Sequence, residues 1–264
     1  SFAKPFVTTE IIFEEETTSG KYLNKHKDGY RISFGNSLCN EISSNNTVWI
    51  LGGSTTYGYG VEDSQTIPSH LAKYLKNEGT NWCVLNFGRG YFYSAQELLY
   101  YTKLLANTKK IPKVVIFIDG LNEYFHLLGS SFLPNYSKNK FTGIFNIHNK
   151  IFHNRYSSRI FGSRLVPIRI HNTTPEECIK DSKSDEKKCD FIIQEATARM
   201  IRNWTTASKI SSAYDITFLP VLQPVPLHNH YFINPFSNGI YKQHRFSGRA
   251  YDLMKKTNFE DTIK

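Results

Sequence analysis

From residue 47 onward, short apolar runs alternate with segments of helical spacing. TVWILGG (47–53) is apolar and β-branched and ends in a glycine pair, which predicts a buried strand running into a tight turn. In SQTIPSHLAKYLKNEG (64–79), Ile67, Leu71 and Leu75 fall on one helical face, and Gly79 marks the stop. WCVLNFG (82–88) reads as a second strand. SAQELLYYTKLLA (94–106) reads as a second helix with Ala95, Leu98, Leu99 and Leu105 on one side, and Ser94 with Glu97 three residues on fits a capping box. KVVIFIDG (113–120) carries five consecutive apolar residues, as expected of a strand covered on both faces. Strand, helix, strand, helix, strand from 47 to 120 predicts a parallel sheet with right-handed crossovers.

The pattern resumes at 190–215, a long helix with Ile193, Ala196, Met200, Trp204, Ala207 and Ser211 at helical spacing. ITFLPVLQP (216–224) is a fourth strand stopped by Pro224, residues 225–248 form a Pro/Gly/Asn-rich loop, and 249–258 begin another helix. Residues 1–46 are weakly patterned, with a turn signal at Asp28-Gly29, and form an N-terminal extension packed on a domain spanning 47–264. The irregular, aromatic and basic stretch that begins at 124 predicts an inserted loop region over about 124–190.

The 264 residues suffice for one α/β domain with a core, and 40% hydrophobic with 14% aromatic residues excludes a disordered chain. No apolar run reaches the roughly 18 residues of a membrane span. Ser1–Thr9 lacks the apolar stretch of a signal peptide, as a mature secreted chain with its leader removed also would. The net charge of +9 is scattered, which fits a lysine- and asparagine-rich composition; attraction to an anionic polymer or membrane surface is the functional alternative. No nucleic-acid-binding motif accompanies the charge. The four cysteines form no CxxC, so metal-ribbon and thioredoxin chemistry have no support. Cys178 and Cys189 bracket the polar segment IKDSKSDEKK, which predicts a loop-closing disulfide and an extracytoplasmic location, periplasmic or secreted. Cys83, in an apolar strand, is expected to serve packing.

In a parallel sheet, ligands bind beyond the carboxyl ends of the strands. Three strands here end in small or polar residues: Gly52-Gly53-Ser54-Thr55-Thr56, Asn86-Phe87-Gly88-Arg89-Gly90, and Asp119-Gly120-Leu121-Asn122-Glu123. Alone, each has an ordinary explanation: a loop, a turn glycine, a helix N-cap. In this order and spacing, GGSTTYG (52–58), NFGRG (86–90) and GLNE (120–123) resemble the nucleophile turn, the oxyanion-hole glycine and the Gly-x-Asn-Asp block of SGNH (GDSL-like) hydrolases, with Glu123 where Asp is usual. The resemblance covers residues 47–123, and 190–222 continues the strand order. A nucleotide-binding Rossmann reading lacks the GxGxxG it needs after the first strand.

The resemblance implies a three-layer, doubly wound, flavodoxin-like parallel sheet and acyl transfer through a serine without a cofactor. Ser54 would be the nucleophile, with its own N–H, the Gly90 N–H and the Asn122 amide holding the oxyanion. It also implies an Asp-x-x-His after the fourth strand, which this sequence lacks; His228, His230 and His244 follow that strand with no Asp three residues before them. The expectation is that this block lies beyond Lys264, the alternative that a loop histidine, His228 or His230, reaches Ser54. The implied function is a serine esterase or deacylase acting on an acylated, for example O-acetylated, cell-surface glycan or lipid. An O-acyltransferase using the same serine and a non-catalytic glycan- or lipid-binding domain are the alternatives.

Overall fold

The computed structural model describes residues 6–8, 13–15, 18–36, 39, 46–108, 110–123 and 186–224, with the backbone alone for 6–8, 13–15, 186–193 and 195. The chain divides into two compact units, Ser1–Tyr124 with Ile193–Lys264, and Phe125–Ile192. Apart from the first residues of one helix, the described elements belong to the former. The inserted region, the loop with His228, His230 and His244, and the helix expected at 249–258 lie outside the described residues.

Strands β1 (Phe6–Thr8) and β2 (Phe13–Glu15) form a small antiparallel pair. The main sheet contains β3 (Thr47–Gly52), β4 (Cys83–Asn86), β5 (Val114–Asp119) and β6 (Thr217–Leu222), all parallel, in the order β4-β3-β5-β6. The helices are α1 (Ser54–Tyr57), α2 (Ile67–Asn77), α3 (Ser94–Asn107) and α4 (Glu186–Ser212).

Every residue of β3 is buried, which explains its unbroken apolar run: a strand covered on both faces has no polar side to present. Side chains alternate across it. Val48 and Ile50 join Val84, Ile118 and Ala72 of α2 in one cluster. On the other face, Trp49 meets Phe87, Phe87 meets Tyr100 of α3, and Tyr101 of α3 meets Phe117. Helix α4 packs beside α3 through the Tyr101–Ser211 hydroxyl pair at 2.8 Å, and Ala196, Met200, Trp204, Ala207 and Ser211 are all fully buried, as their spacing predicted. Helices therefore cover both faces of a doubly wound α/β sheet. The chain passes from β3 outward to β4, then crosses back to β5 on the other side of β3, so the winding reverses between β3 and β5. Ser54 leaves the carboxyl end of the first of these and Asn122 that of the second.

Some local expectations are corrected. Ser94 and Glu97 form no capping box: Tyr93 is the N-cap and makes no side-chain cap bond. The Ser94 N–H is instead taken by Glu123 Oε1 at 2.5 Å, and Ser94 Oγ accepts from Asn203 of α4 at 2.8 Å. The inner face of α3 is Ser94, Glu97, Tyr100, Tyr101 and Leu105, while Leu99 is exposed. On α2, Ile67 is exposed and Pro68, Ser69 and Ala72 are the buried positions, with Leu71 and Leu75 packed partly against the core.

The cysteine pairing also differs from expectation. Cys83, read as a packing residue, is bonded to Cys39 with 5.1 Å between α-carbons. The Cys178–Cys189 pairing falls outside the described residues. The segment before Cys39 lies against β4, one of the two edge strands of the described sheet. Asn36 Nδ2 donates to Val84 O at 2.8 Å and the Arg31 N–H to Asn86 O at 2.8 Å, so edge carbonyls that would be open to another strand are used. Peptide mass spectrometry without reduction should find Cys39 and Cys83 joined. The Cys39→Ser/Cys83→Ser variant should lose roughly 2–4 kcal/mol of stability, because the tie closes a long loop of the unfolded chain. Two freely alkylated thiols in protein kept under oxidising conditions would contradict this pairing.

Candidate active site

Ser54 is the first residue of α1, a single turn that could not persist by itself, since nucleating a turn costs more than its few bonds return. Its carbonyls are held from outside. Ser54 O accepts from the N–H groups of Gly58 (2.9 Å) and Tyr59 (3.1 Å). Asn86 Nδ2, at the end of β4, donates to Thr56 O (3.0 Å) and Tyr57 O (3.3 Å). Arg31 Nη1 donates to Tyr57 O (2.9 Å) and Gly58 O (2.7 Å). From the far side, Gln223 beyond β6 donates to Thr55 Oγ1 at 3.0 Å. Ser54 is partly exposed, while Gly53 before it and Thr56 and Tyr57 after it are buried. The turn therefore has a fixed base and presents its serine outward.

The chain after β4 keeps its grip on β3: Phe87 N–H reaches Ile50 O (2.8 Å) and Arg89 N–H reaches Gly52 O (2.9 Å). This brings Gly90 level with the end of β3. A side chain at 90 would collide with the Tyr59 hydroxyl and ring, which lie directly over its α-carbon. Glycine at 90 lets the Tyr59 ring close over the loop, and a larger residue would have to push that ring aside. Tyr91 then takes a left-handed conformation, φ 64°, and turns the chain toward α3.

After β5, Asn122 falls in the turn that opens at Leu121. Its side chain does not cap that turn. It crosses the switch point and donates through Nδ2 to Phe92 O at 2.6 Å. A β-carbon on Gly53 would stand 2.6 Å from the same Nδ2, so the amide lies against the residue preceding Ser54, and only glycine leaves it room. One of the two amide hydrogens of Asn122 thus goes to Phe92 O. Asn122 and the Ser54 turn are in direct contact, and Gly90 joins them through Tyr59 on one side and the short run to Phe92 on the other.

Beneath these loops is a buried acidic cluster that the sequence pattern did not reveal. Asp119, Glu97 and Glu123 are all fully or nearly fully excluded from solvent. Asp119 accepts from Trp204 Nε1 at 2.6 Å. Glu97 lies near enough to Asp119 for that carboxyl to raise its pKa, and neither Glu97 carboxyl oxygen has a hydrogen-bond partner among the described residues. Glu123 takes the Ser94 N–H and has Arg199 Nη2 at 3.6 Å. Burial first, then the neighbouring acids, hold Glu97 well above the carboxylate range. Burial and Glu123 push Asp119 up to about 7, against the bond from Trp204. Burial raises Glu123 too, against the Ser94 bonds and Arg199. Tyr93 above the cluster is also raised, chiefly by burial. The pattern missed this cluster because Glu97 sits where a capping-box residue would; the clue was its place in line with Tyr100, Tyr101 and Leu105 on one helical face. Among the described residues no group of His, Cys, Asp and Glu has the arrangement of a metal site, and no helix is long and apolar enough to cross a membrane.

No protein-family model matches the sequence, and no curated protein matches it. Solved structures similar to the chain include SGNH-type esterases. The psychrotrophic esterase EstA from Pseudoalteromonas sp., inhibited by monoethylphosphonate, is 14% identical over 81% of this chain and 74% of its own, with a TM-score of 0.37. AlinE4, an SGNH-hydrolase family esterase, is 15% identical over 79% of this chain and 95% of its own, with a TM-score of 0.33. The acetyl xylan esterase AlAXEase is 13% identical over 82% of this chain and 79% of its own, with a TM-score of 0.38. At these values no residue correspondence is carried over, and the site rests on the geometry above.

The cluster fixes a sign for stability against pH. Asp119 has a folded value near 7 against an ordinary value of 3.8, so between these the folded protein holds more protons than the unfolded chain. Stability is then complete below the lower value and falls as pH rises through the upper one, and the raised Glu97 and Glu123 add in the same direction. The melting temperature should drop from about pH 5 to about pH 8, and Asp119→Asn should flatten the drop. A melting temperature that rises over that interval would contradict the protonated cluster.

Proposed function

We propose that the protein is a serine ester hydrolase of the SGNH type, with Ser54 as nucleophile and the N–H groups of Ser54 and Gly90 and the second Asn122 amide hydrogen as the oxyanion hole. The observation that carries this is the approach of the Asn122 amide to Gly53, beside Ser54, at the point where the winding of the sheet reverses. Ligands of open α/β sheets bind at that point.

Ser54 Oγ attacks the ester carbonyl and loses its proton to a base. The carbonyl oxygen becomes an oxyanion, the alkoxide leaves with a proton, and water then releases the acyl group from Ser54. The donors are in place before charge develops, so their stabilisation is largely free of reorganisation. No base is assigned, since His228, His230 and His244 lie outside the described residues. The proposed substrate is an acylated glycan or lipid outside the cytoplasm. The Cys39–Cys83 disulfide supports that location, and the net charge of +9 supports attraction to an acidic surface.

Hydrolysis of p-nitrophenyl acetate by the protein should fall to background in Ser54→Ala; equal rates in the two would contradict the proposal. Asn122→Ala should lower kcat by roughly 10²–10³, the usual effect of one oxyanion donor, and remain folded. An Asn122→Ala protein that melts early yet keeps its kcat would make this residue a structural tie to Phe92 alone.

A further inference from the structure

We propose that Arg31, which lies in the weakly patterned N-terminal region, is a positioning residue for the nucleophile turn. The inference rests on Ser54 being the nucleophile.

Arg31 is completely buried, and its guanidinium has five hydrogens and five acceptors. Nε donates to Asp63 Oδ1 (2.8 Å), Nη1 to Tyr57 O (2.9 Å) and Gly58 O (2.7 Å), and Nη2 to Val61 O (2.7 Å) and Tyr22 O (3.4 Å). The plane also lies near the Tyr57 ring, 5.2 Å from its centroid. At the other end of the residue, the Arg31 N–H is bonded to Asn86 O at 2.8 Å, at the carboxyl end of β4. Backbone and head group are thus both fixed, one on the sheet and the other on the segment leaving α1.

Three of the five acceptors are carbonyls of that segment, Tyr57, Gly58 and Val61. A helix end leaves such carbonyls without partners, and a buried one cannot turn to water. Arg31 supplies the partners, and Asn86 supplies those of Thr56 and Tyr57 beside it. Ser54 lies one turn away, at the other end of the same four residues. Tyr59, which covers Gly90, lies between the clamped carbonyls. The guanidinium therefore fixes Ser54 and the Tyr59 cover of Gly90 through one clamp.

The acceptors lie in different directions around a plane, which suits arginine and not lysine, whose three hydrogens diverge from a single nitrogen. The charge is balanced by Asp63, which is held in turn by Asn24 Nδ2 on its other oxygen at 2.8 Å. Asp63 Oδ1 sets the angle of the guanidinium through a charge-assisted bond.

The test compares kcat and KM for p-nitrophenyl acetate, and the rate of Ser54 inactivation by a fluorophosphonate, in the wild type, Ser54→Ala, Arg31→Lys and Asp63→Asn, each well below its melting temperature. Arg31→Lys should lower kcat on the order of 10–100-fold with KM within about twofold, because small misplacements of a nucleophile cost rate rather than affinity. Asp63→Asn, a milder change at a partly exposed carboxylate, should lower kcat at least about threefold with KM unchanged, since a neutral bond aims the guanidinium less firmly. Inactivation rates should fall in parallel with kcat. Folded variants with wild-type kcat, or a raised KM at unchanged kcat, would overturn the proposal. If Arg31→Lys does not fold, full kcat in Asp63→Asn overturns it equally. A wild-type rate no higher than that of Ser54→Ala defeats the esterase reading itself and this inference with it. A Ser54-dependent rate that ignores Arg31 and Asp63 defeats only the inference.

Discussion

Strand β3 is hydrogen-bonded to β4 on one side and β5 on the other, and all six of its residues are buried. It cannot shift without moving both neighbours, so the place where the chain leaves it is fixed. The loops after β4 and β5 emerge at the same edge, through the register that sets Ile50 against Asn86 and Gly52 against Ile118. The approach of Asn122 to Gly53, the residue before Ser54, follows from that register. Glycine at 53 leaves the space that the Asn122 amide and the Phe92 carbonyl occupy.

Holding polar loops at a buried edge carries a cost that apolar packing cannot offset, since each carbonyl and carboxyl removed from water needs a partner. The protein meets this with groups placed deep in the fold. Arg31 satisfies the carbonyls leaving α1. Arg89, also buried, donates to Gly88 O, Gly29 O and the Tyr100 hydroxyl, and so ties the Gly90 loop to the N-terminal segment. Glu123, adjacent to Asn122, fixes the first N–H of α3, and Asp119 accepts from Trp204. Burial raises the pKa of all three acids, which links the packing beneath these loops to pH.

The sheet was legible from the sequence because a strand covered on both faces must be apolar throughout and a helix between strands must be amphipathic. Both patterns survive in 47–120, and the spacing of Ala196, Met200 and Trp204 located α4 as well. Glycine and asparagine at strand ends marked the three loops. The supports of the site were not legible, for a physical reason. Arg31 acts through carbonyls of Tyr57, Gly58 and Val61, and a backbone acceptor leaves no trace in residue type. Glu97 and Cys83 each had a local explanation, a helix cap and an apolar strand position, and their true partners, Asp119 and Cys39, are set by tertiary contact alone. Cys178 lies outside the described residues, so its expected pairing has no counterpart there.

The central claim is that the strand-end geometry makes Ser54 a nucleophile. A serine-directed fluorophosphonate, followed by peptide mass spectrometry, tests it most directly, because the reagent bonds to an activated serine without needing the natural substrate. The expected result is one phosphonate adduct, on Ser54, absent from Ser54→Ala. No adduct, or an adduct on another residue that persists in Ser54→Ala, would contradict it.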